Sequence, residues 1–365
     1  MPTATQHFFN LIQCGIGQRA ALPATPSKEQ WQQIFDISLK HTLLGIAFAG
    51  IEKLPKEQLP PKEILLQFHQ AAETIKKANC DTNKRCALIS QKFKQEGFPN
   101  CILKGQGIAQ LYPNPLLRTP GDIDIWLGGS DKSIISYVRQ HAPHSTPTYH
   151  HIDFPAQGKA KGKVHIELHF RPSWLYNPFT NRKLQKLFAS ASKEQFSNII
   201  ETPQGSFPAP TTTFNRIYIL LHIYRHLFQE GIGLRQLLDY YFVLAQGFTP
   251  EERDATMRTL KSLGLKRFTA AMMHVLHATF NLPPSQMLTA PHKSSGEFLL
   301  NEIMAAGNFG KHDTRYAIVS PTNELRHFIN SMQRISRLTA QYPLETLWSP
   351  CFKIWHHLWR KRHSK

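Results

Sequence analysis

Apolar positions recur at helical spacing through the first 95 residues. Ser27 followed by Gln30 has the form of a capping box, and it predicts a helix through Trp31, Ile34 and Leu39. Pro60-Pro61 predicts the start of another, with Ile64, Leu65, Phe68 and Ala71 on one face. From position 96 to about 210 the pattern changes to short apolar runs separated by Gly and Pro. Phe98 to Leu103 reads as a strand ending at Lys104-Gly105, and a short helix with Ile108, Ala109 and Leu111 follows until Pro113 and Pro115 stop it. A turn at Gly121 leads into the strand Asp122-Ile123-Asp124-Ile125-Trp126-Leu127. Residues 134–141 read as a helix, and Tyr149 to Phe154 with Val164 to Phe170 read as a hairpin. Its loop carries Lys159, Lys161 and Lys163 and reads as a solvated tip or a substrate-gripping flap.

From about 211 the helical period returns. Thr213 is the expected cap of a helix with Ile217, Leu220, Leu221 and Tyr224; Gly231 and Gly233 precede a second with Leu234, Leu237, Leu238 and Tyr241. At least three more follow. The expected fold is therefore α+β, a small mixed sheet in residues 96–210 between helical regions at 1–95 and 211–365.

Composition narrows the class. With 365 residues, 41% of them hydrophobic, the chain can bury a real core, which excludes wholesale disorder. Five cysteines without a Cys-x-x-Cys spacing fit neither a disulfide framework nor a zinc ribbon. The N-terminus has no basic stretch before an apolar one, and no run reaches the ~20 apolar residues of a membrane span. A cytoplasmic protein is expected. The excess of 43 Lys+Arg over 25 Asp+Glu, a net charge of +18, favours polyanionic partners. Residues 326–365 hold eight basic groups against Glu345 alone. There Phe352, Trp355 and Trp359 share a helical face beside Arg360-Lys361-Arg362, the pattern of a helix that contacts an anionic membrane or, through its charge, nucleic acid; a helix docked on the protein body is the alternative.

Candidate chemistry concentrates in the mixed region. On a strand, Asp122 and Asp124 would share a face about 7 Å apart, where a hard cation such as Mg²⁺ or Mn²⁺ relieves their repulsion. Val164 to Phe170 alternates, so Glu167 stands between His165 and His169 on one polar face and could complete a three-carboxylate site. Upstream, Lys104-Gly105-Gln106-Gly107 lies where backbone and a helix start can approach phosphate. Together these suit metal-dependent phosphoryl or nucleotidyl transfer.

Leu103-Lys104-Gly105 through Leu111-Tyr112-Pro113, then Arg118, then Gly121-Asp122-Ile123-Asp124-Ile125, resembles an uncharacterised bacterial nucleotidyltransferase family of the DNA polymerase beta-type superfamily. Glu167-Leu168-His169-Phe170 and Leu234-Arg235-Gln236-Leu237-Leu238-Asp239 are similar to its later strand and helix motifs. The resemblance implies that Gly105, Gln106 and the helix start hold NTP phosphates, with ATP the first choice. It implies that Asp122, Asp124 and Glu167 bind the metals, Glu167 doubling as the base for an unknown acceptor. Lys104 and Arg118 would neutralise phosphate, and His165, His169, Arg235 and Asp239 would support the site. Gly105-Gln106 stands where the superfamily commonly has Gly-Gly or Gly-Ser, so a catalytically inactive nucleotide- or nucleic-acid-binding module is the alternative. A nucleotide-sugar glycosyltransferase using Asp-x-Asp is a further one, disfavoured by the helical stretch before the motif. His222 and His226 share a helix face, where zinc would need a third ligand such as Asp239, and Arg235 with Asp239 has the spacing of a helix ion pair.

Overall fold

In the structure, a computed structural model, residues 2–154, 164–316 and 324–363 are described. Lys159, Lys161 and Lys163 lie outside them. Four strands form the mixed sheet: β1 (Asn100–Leu103), β2 (Ile123–Leu127), β3 (His151–Asp153) and β4 (Ile166–His169), in the order β1-β2-β4-β3. β2 runs antiparallel to β1 and parallel to β4, and β3 is antiparallel to β4. A separate hairpin, β5 (Ile199–Thr202) with β6 (Gly205–Pro208), drives Phe207 into the core.

Side chains alternate across the sheet, so its two faces enter different cores. Ile123, Ile125 and Leu127 join Ile166 and Leu168 against Ile134 and Val138 of the helix Asp131–His141 and Phe93 of the helix Lys62–Gln95. The other face carries Cys101, Leu103 and Trp126 into a second cluster. Trp126 stacks there on Phe214 at 5.9 Å between ring centres. Asp124, Glu167 and His169 belong to this second face and look toward the C-terminal helices. Two of those helices, Thr212–Gln229 and Leu234–Ala245, are buried almost all round.

The second cluster also takes Phe8, Leu11 and Trp31 from the N-terminal helices and Phe268 and Phe280 from the helix Lys266–Phe280. N- and C-terminal helices thus share one core. Polar links reinforce it: Gln13 Nε2 donates to the Thr279 carbonyl at 3.0 Å, and Lys40 Nζ to that of Met304 at 2.7 Å. Where the helices Ala4–Gly15 and Leu44–Ile51 cross, a Cβ on Gly15 would stand 2.3 Å from the Ile46 carbonyl oxygen, so only glycine permits the approach.

The capping box at Ser27 forms as the sequence predicts, and the Lys62–Gln95 helix starts after Pro61. The cap of Thr212–Gln229 is Thr211 rather than Thr213; its hydroxyl accepts the Phe214 N–H. Among the described residues no helix is long and apolar enough to cross a membrane.

Candidate functional site

The centre of the site comes from the strand register. Asp124 of β2 stands opposite Glu167 of β4, and Leu103 at the end of β1 stands opposite Asp124. The next residue, Lys104, adopts φ 54° and ψ −140°, an unusual conformation for a side-chain-bearing residue. That turn brings Lys104 Nζ to 2.8 Å from Asp124 Oδ1. His169 Nε2 lies 2.9 Å from the same oxygen and 3.2 Å from Glu167 Oε2. Carboxylates only accept, so the proton sits on Nε2 and is shared by both.

Electrostatics follow from these contacts. Burial would push Asp124 up, but the Lys104 ammonium and the His169 hydrogen bond hold it below the usual carboxylate range. Burial would likewise raise Glu167; the hydrogen bond from His169 and the charges of His151, His169 and Lys104 pull it far down. His169 is the converse: burial opposes its charge, yet its bonds to the two carboxylates raise it above the ordinary imidazole value.

β3 extends the site. His151 is paired with His169 and Asp153 with Glu167 across the antiparallel ladder. His151 Nδ1 lies 3.0 Å from His150 Nε2 and 3.7 Å from Glu167 Oε2. Burial, opposed by Glu167, lowers His151 to about 3. His165 turns away from the centre and meets Asp153 Oδ1 at 3.1 Å. Asp153, His150 and His151 were missed in the sequence; the period-two pattern of Tyr149 to Phe154 marks the strand, and its polar positions were the available signal.

The remaining expected residues take varied places. Asp122 precedes β2 and is exposed, because the ladder begins at Ile123, whose N–H bonds the His165 carbonyl at 2.9 Å. Asp122 thus lies just outside the paired ladder, and its charge reaches Arg235 of the helix Leu234–Ala245. Gly105 has φ +34° and opens a helix of only five residues, Gly105–Ala109. Gln106 is buried and turns its amide toward Asn79 and Asn83 of the long helix. Arg118 is 4% exposed and forms a fork on Asp239, Nε to Oδ1 at 2.7 Å and Nη2 to Oδ2 at 2.8 Å. Tyr112 donates its hydroxyl to Asp239 Oδ1 at 2.7 Å. The expected Arg235–Asp239 helix pair does not form: a buried fork outcompetes a neighbour on the same helix. Arg235 instead donates to the Thr119 carbonyl at 2.9 Å.

His222 and His226 stand with ring centres 4.3 Å apart, and both are pushed well down, first by burial and then by the charges of Lys104 and Arg225. Asp239, engaged by Arg118, does not complete a zinc set with them among the described residues. Three groups do bring candidate ligand atoms within 4.8 Å of one another: Asp124, Glu167 and His169; His150, His151 and His169; and His151, Asp153 and Glu167. The first offers two hard oxygens and one imidazole, which fits a divalent cation of the Mg²⁺–Mn²⁺ type. At the C-terminus, Phe352 of the helix Ser349–His363 stacks on Trp174 at 4.3 Å and meets Tyr149 edge-on at 5.4 Å, so this face is docked. Ile354, Trp355 and Leu358 stay exposed.

Fold and site together define an α+β protein in which a small sheet and the helices packed on it enclose a cluster of carboxylates, histidines and Lys104. The model of a family described as uncharacterised nucleotidyltransferase matches residues 27–281, and the chain belongs to that family. No curated protein matches it in sequence. Among solved structures, an antigenic nucleotidyltransferase-like protein from Paracoccidioides brasiliensis is similar at 11% identity over 62% of this chain and 98% of its own, with a TM-score of 0.31.

Proposed function

We propose that the chain transfers a nucleotidyl group from an NTP to an acceptor hydroxyl, on a core of the polymerase beta type. The observation that supports this reading is the pairing of Asp124 with Glu167 beside Lys104, in a member of this family. ATP is the proposed co-substrate and Mg²⁺ or Mn²⁺ the proposed ion. Asp124 and Glu167 would hold the ion, with Asp122 joining from just outside the ladder. A divalent cation bound there supplies the charge that clamps a triphosphate and lowers the pKa of an attacking hydroxyl.

The acceptor oxygen bonds to the α-phosphorus as the α–β bridging bond breaks. Pyrophosphate leaves with that electron pair, and the hydroxyl proton passes to solvent. Glu167 is held so far below the carboxylate range that it is a weak base, which favours cation holding over proton abstraction. Lys104 is placed to exchange Asp124 for phosphate. Gly105, at positive φ, keeps the backbone open for the ligand. Arg118 contributes at one remove, by anchoring on Asp239 the segment that leads into β2. His165 acts through Asp153, and Arg235 through the carbonyls of Thr119 and Pro120.

The test is incubation with labelled NTPs, Mg²⁺ or Mn²⁺ and a cell extract, followed by mass identification of the labelled species. A metal-dependent product that Asp122→Asn with Asp124→Asn abolishes is expected. Metal-dependent NTP binding that survives unchanged in the double variant would sink the assignment. A non-catalytic nucleotide-binding module is the second reading, favoured by Gln106 turning into the long helix and by Lys104 and His169 sitting on Asp124. It gives NTP binding without any labelled product.

We further propose that the C-terminal helix contacts an anionic lipid surface on the cytoplasmic side. Exposed Ile354, Trp355 and Leu358 beside exposed Arg360 and Lys361 combine apolar and cationic contact, and exposed aliphatic groups favour lipid over nucleic acid. Co-sedimentation with phosphatidylserine vesicles, lost in Arg360→Glu with Lys361→Glu, is expected. Binding to RNA or DNA with none to the vesicles would overturn it.

A further inference from the structure

Arg225 lies on the helix Thr212–Gln229 and is 7% exposed. An arginine carries donors only. Its Nη1 donates to His150 Nε2 at 2.8 Å and its Nη2 to His226 Nε2 at 3.4 Å, while Nε has no partner among the described residues. Both imidazole nitrogens accept, so neither ring carries the proton that would make that nitrogen a donor. Among the described residues no carboxylate forms an ion pair with Arg225. Glu230 senses its charge without reaching it.

The other buried arginines are treated differently. Arg118 is forked on Asp239, and Arg216 pairs with Glu252 at 3.4 Å. Arg235 donates to two carbonyls, with Asp122 in its field. Arg225, like Arg235, has no carboxylate ion pair among the described residues, and of these four it alone donates to imidazoles. Holding an uncompensated cation in the interior costs several kcal/mol by general estimates. Its position gives that cost a use. His150, to which it donates, lies 3.0 Å from His151, and the His150 ring centre is 5.2 Å from that of His169, the imidazole that touches Asp124 and Glu167. Arg225 and Lys104 therefore bracket the buried histidines beside Asp124 and Glu167, one from the helix Thr212–Gln229 and one from the end of β1.

We propose that Arg225 binds a phosphate group of the ligand, receiving an oxyanion of the nucleotide's polyphosphate chain from the helical wall while the carboxylates face the cation from the sheet. The identity of the ligand rests on the nucleotidyl-transfer reading; the presence of an oxyanion site rests on Arg225 itself. The unmet Nε can donate to a tetrahedral oxyanion, and Nη2, only 3.4 Å from His226 Nε2, can exchange that long contact for a second oxyanion oxygen.

The probe is tripolyphosphate, which has neither base nor sugar, titrated calorimetrically into the full chain with and without Mg²⁺, beside ATP with Mg²⁺. Arg225→Met is expected to weaken tripolyphosphate by roughly 10–100-fold, the value of a charge-assisted hydrogen bond. Without ligand its melting temperature is expected to hold or rise, because an unpaired buried charge has gone; a purely structural arginine would give a fall. Should the methionine variant not fold, Arg225→Lys keeps the charge but loses the fork, and about tenfold weaker binding is expected. Wild-type affinity in either variant, or no tripolyphosphate binding by the wild type, overturns the proposal. If ATP–Mg²⁺ binds equally well to both variants and the wild type, the oxyanion site falls and the nucleotidyl-transfer reading stands. If tripolyphosphate binds through Arg225 but no NTP does, the reverse holds.

Discussion

Asp124 and Glu167 stand opposite each other across the parallel pair of β2 and β4, and one nitrogen, His169 Nε2, lies 2.9 Å from the first and 3.2 Å from the second. The two carboxylates are nevertheless not equivalent. Asp124 is buried and also carries Lys104, whereas Glu167 keeps 23% of its side chain exposed. Asp124→Asn leaves the half-buried Lys104 ammonium without its partner and is expected to cost about 1–3 kcal/mol of stability. Glu167→Gln should cost less. Both should abolish metal-dependent nucleotide binding in a calorimetric titration. A glutamine variant that melts below the asparagine variant would contradict this ranking.

Lys104 occupies the charge that a cation would supply. Its Nζ stands 2.8 Å from Asp124 Oδ1, so metal must displace it. Lys104→Met removes that competition. Mn²⁺ alone should bind several-fold more tightly, by roughly the value of one partly buried ion pair, while ATP affinity at saturating Mn²⁺ falls. Paramagnetic resonance of free Mn²⁺ measures the first and calorimetry the second. Parallel losses in both would show that Lys104 only props the fold.

The segment leading into β2 is tied down by Asp239, which holds Arg118 by a fork and takes the Tyr112 hydroxyl. Removing one member leaves a buried charge alone, a change that typically costs about 3–5 kcal/mol. Asp239→Asn should therefore lower the melting temperature more than Asp124→Asn. It should also weaken nucleotide binding without altering which metal is preferred. A variant as stable as the wild type would remove Asp239 from this anchoring role.

Local signals in the chain carried the elements and left the site half visible. Ser27 and Gln30 announce their helix because capping is decided within four residues. Thr211, Thr212 and Thr213 offer three equivalent hydroxyls, so sequence could not choose the cap. Alternation identified the faces of β2 and β4, hence Asp124, Glu167 and His169. It could not show that the ladder begins one residue after Asp122. Arg118 and Asp239 are 121 positions apart, and nothing local indicates that a bidentate partner would replace the helix neighbour Arg235. Arg225 was equally hidden: its isolation from carboxylates is a property of the packed helical wall.

Glu345 makes stability depend on pH away from the site. It is 6% exposed and accepts the backbone N–H groups of Tyr176 and Asn177, pinning the short helix Pro343–Thr346, just before Ser349–His363, to the segment that leads into the helix Pro178–Ser197. Burial pushes its carboxyl up to about 8, against the pull of those two N–H groups. In the unfolded chain it titrates near 4.5, the ordinary value. Between these values the folded state holds a proton that the unfolded state has released. Its contribution is thus complete below the unfolded pKa, shrinks by about 1.4 kcal/mol per pH unit as pH rises, and levels off above 8. Glu345→Gln keeps an acceptor oxygen and cannot ionise. Relative to wild type, its melting temperature should be similar or lower at pH 5 and higher at pH 8. The measurement is the wild-type-to-variant difference at the two pH values, and a difference that does not change between them would place the titration of Glu345 outside this window.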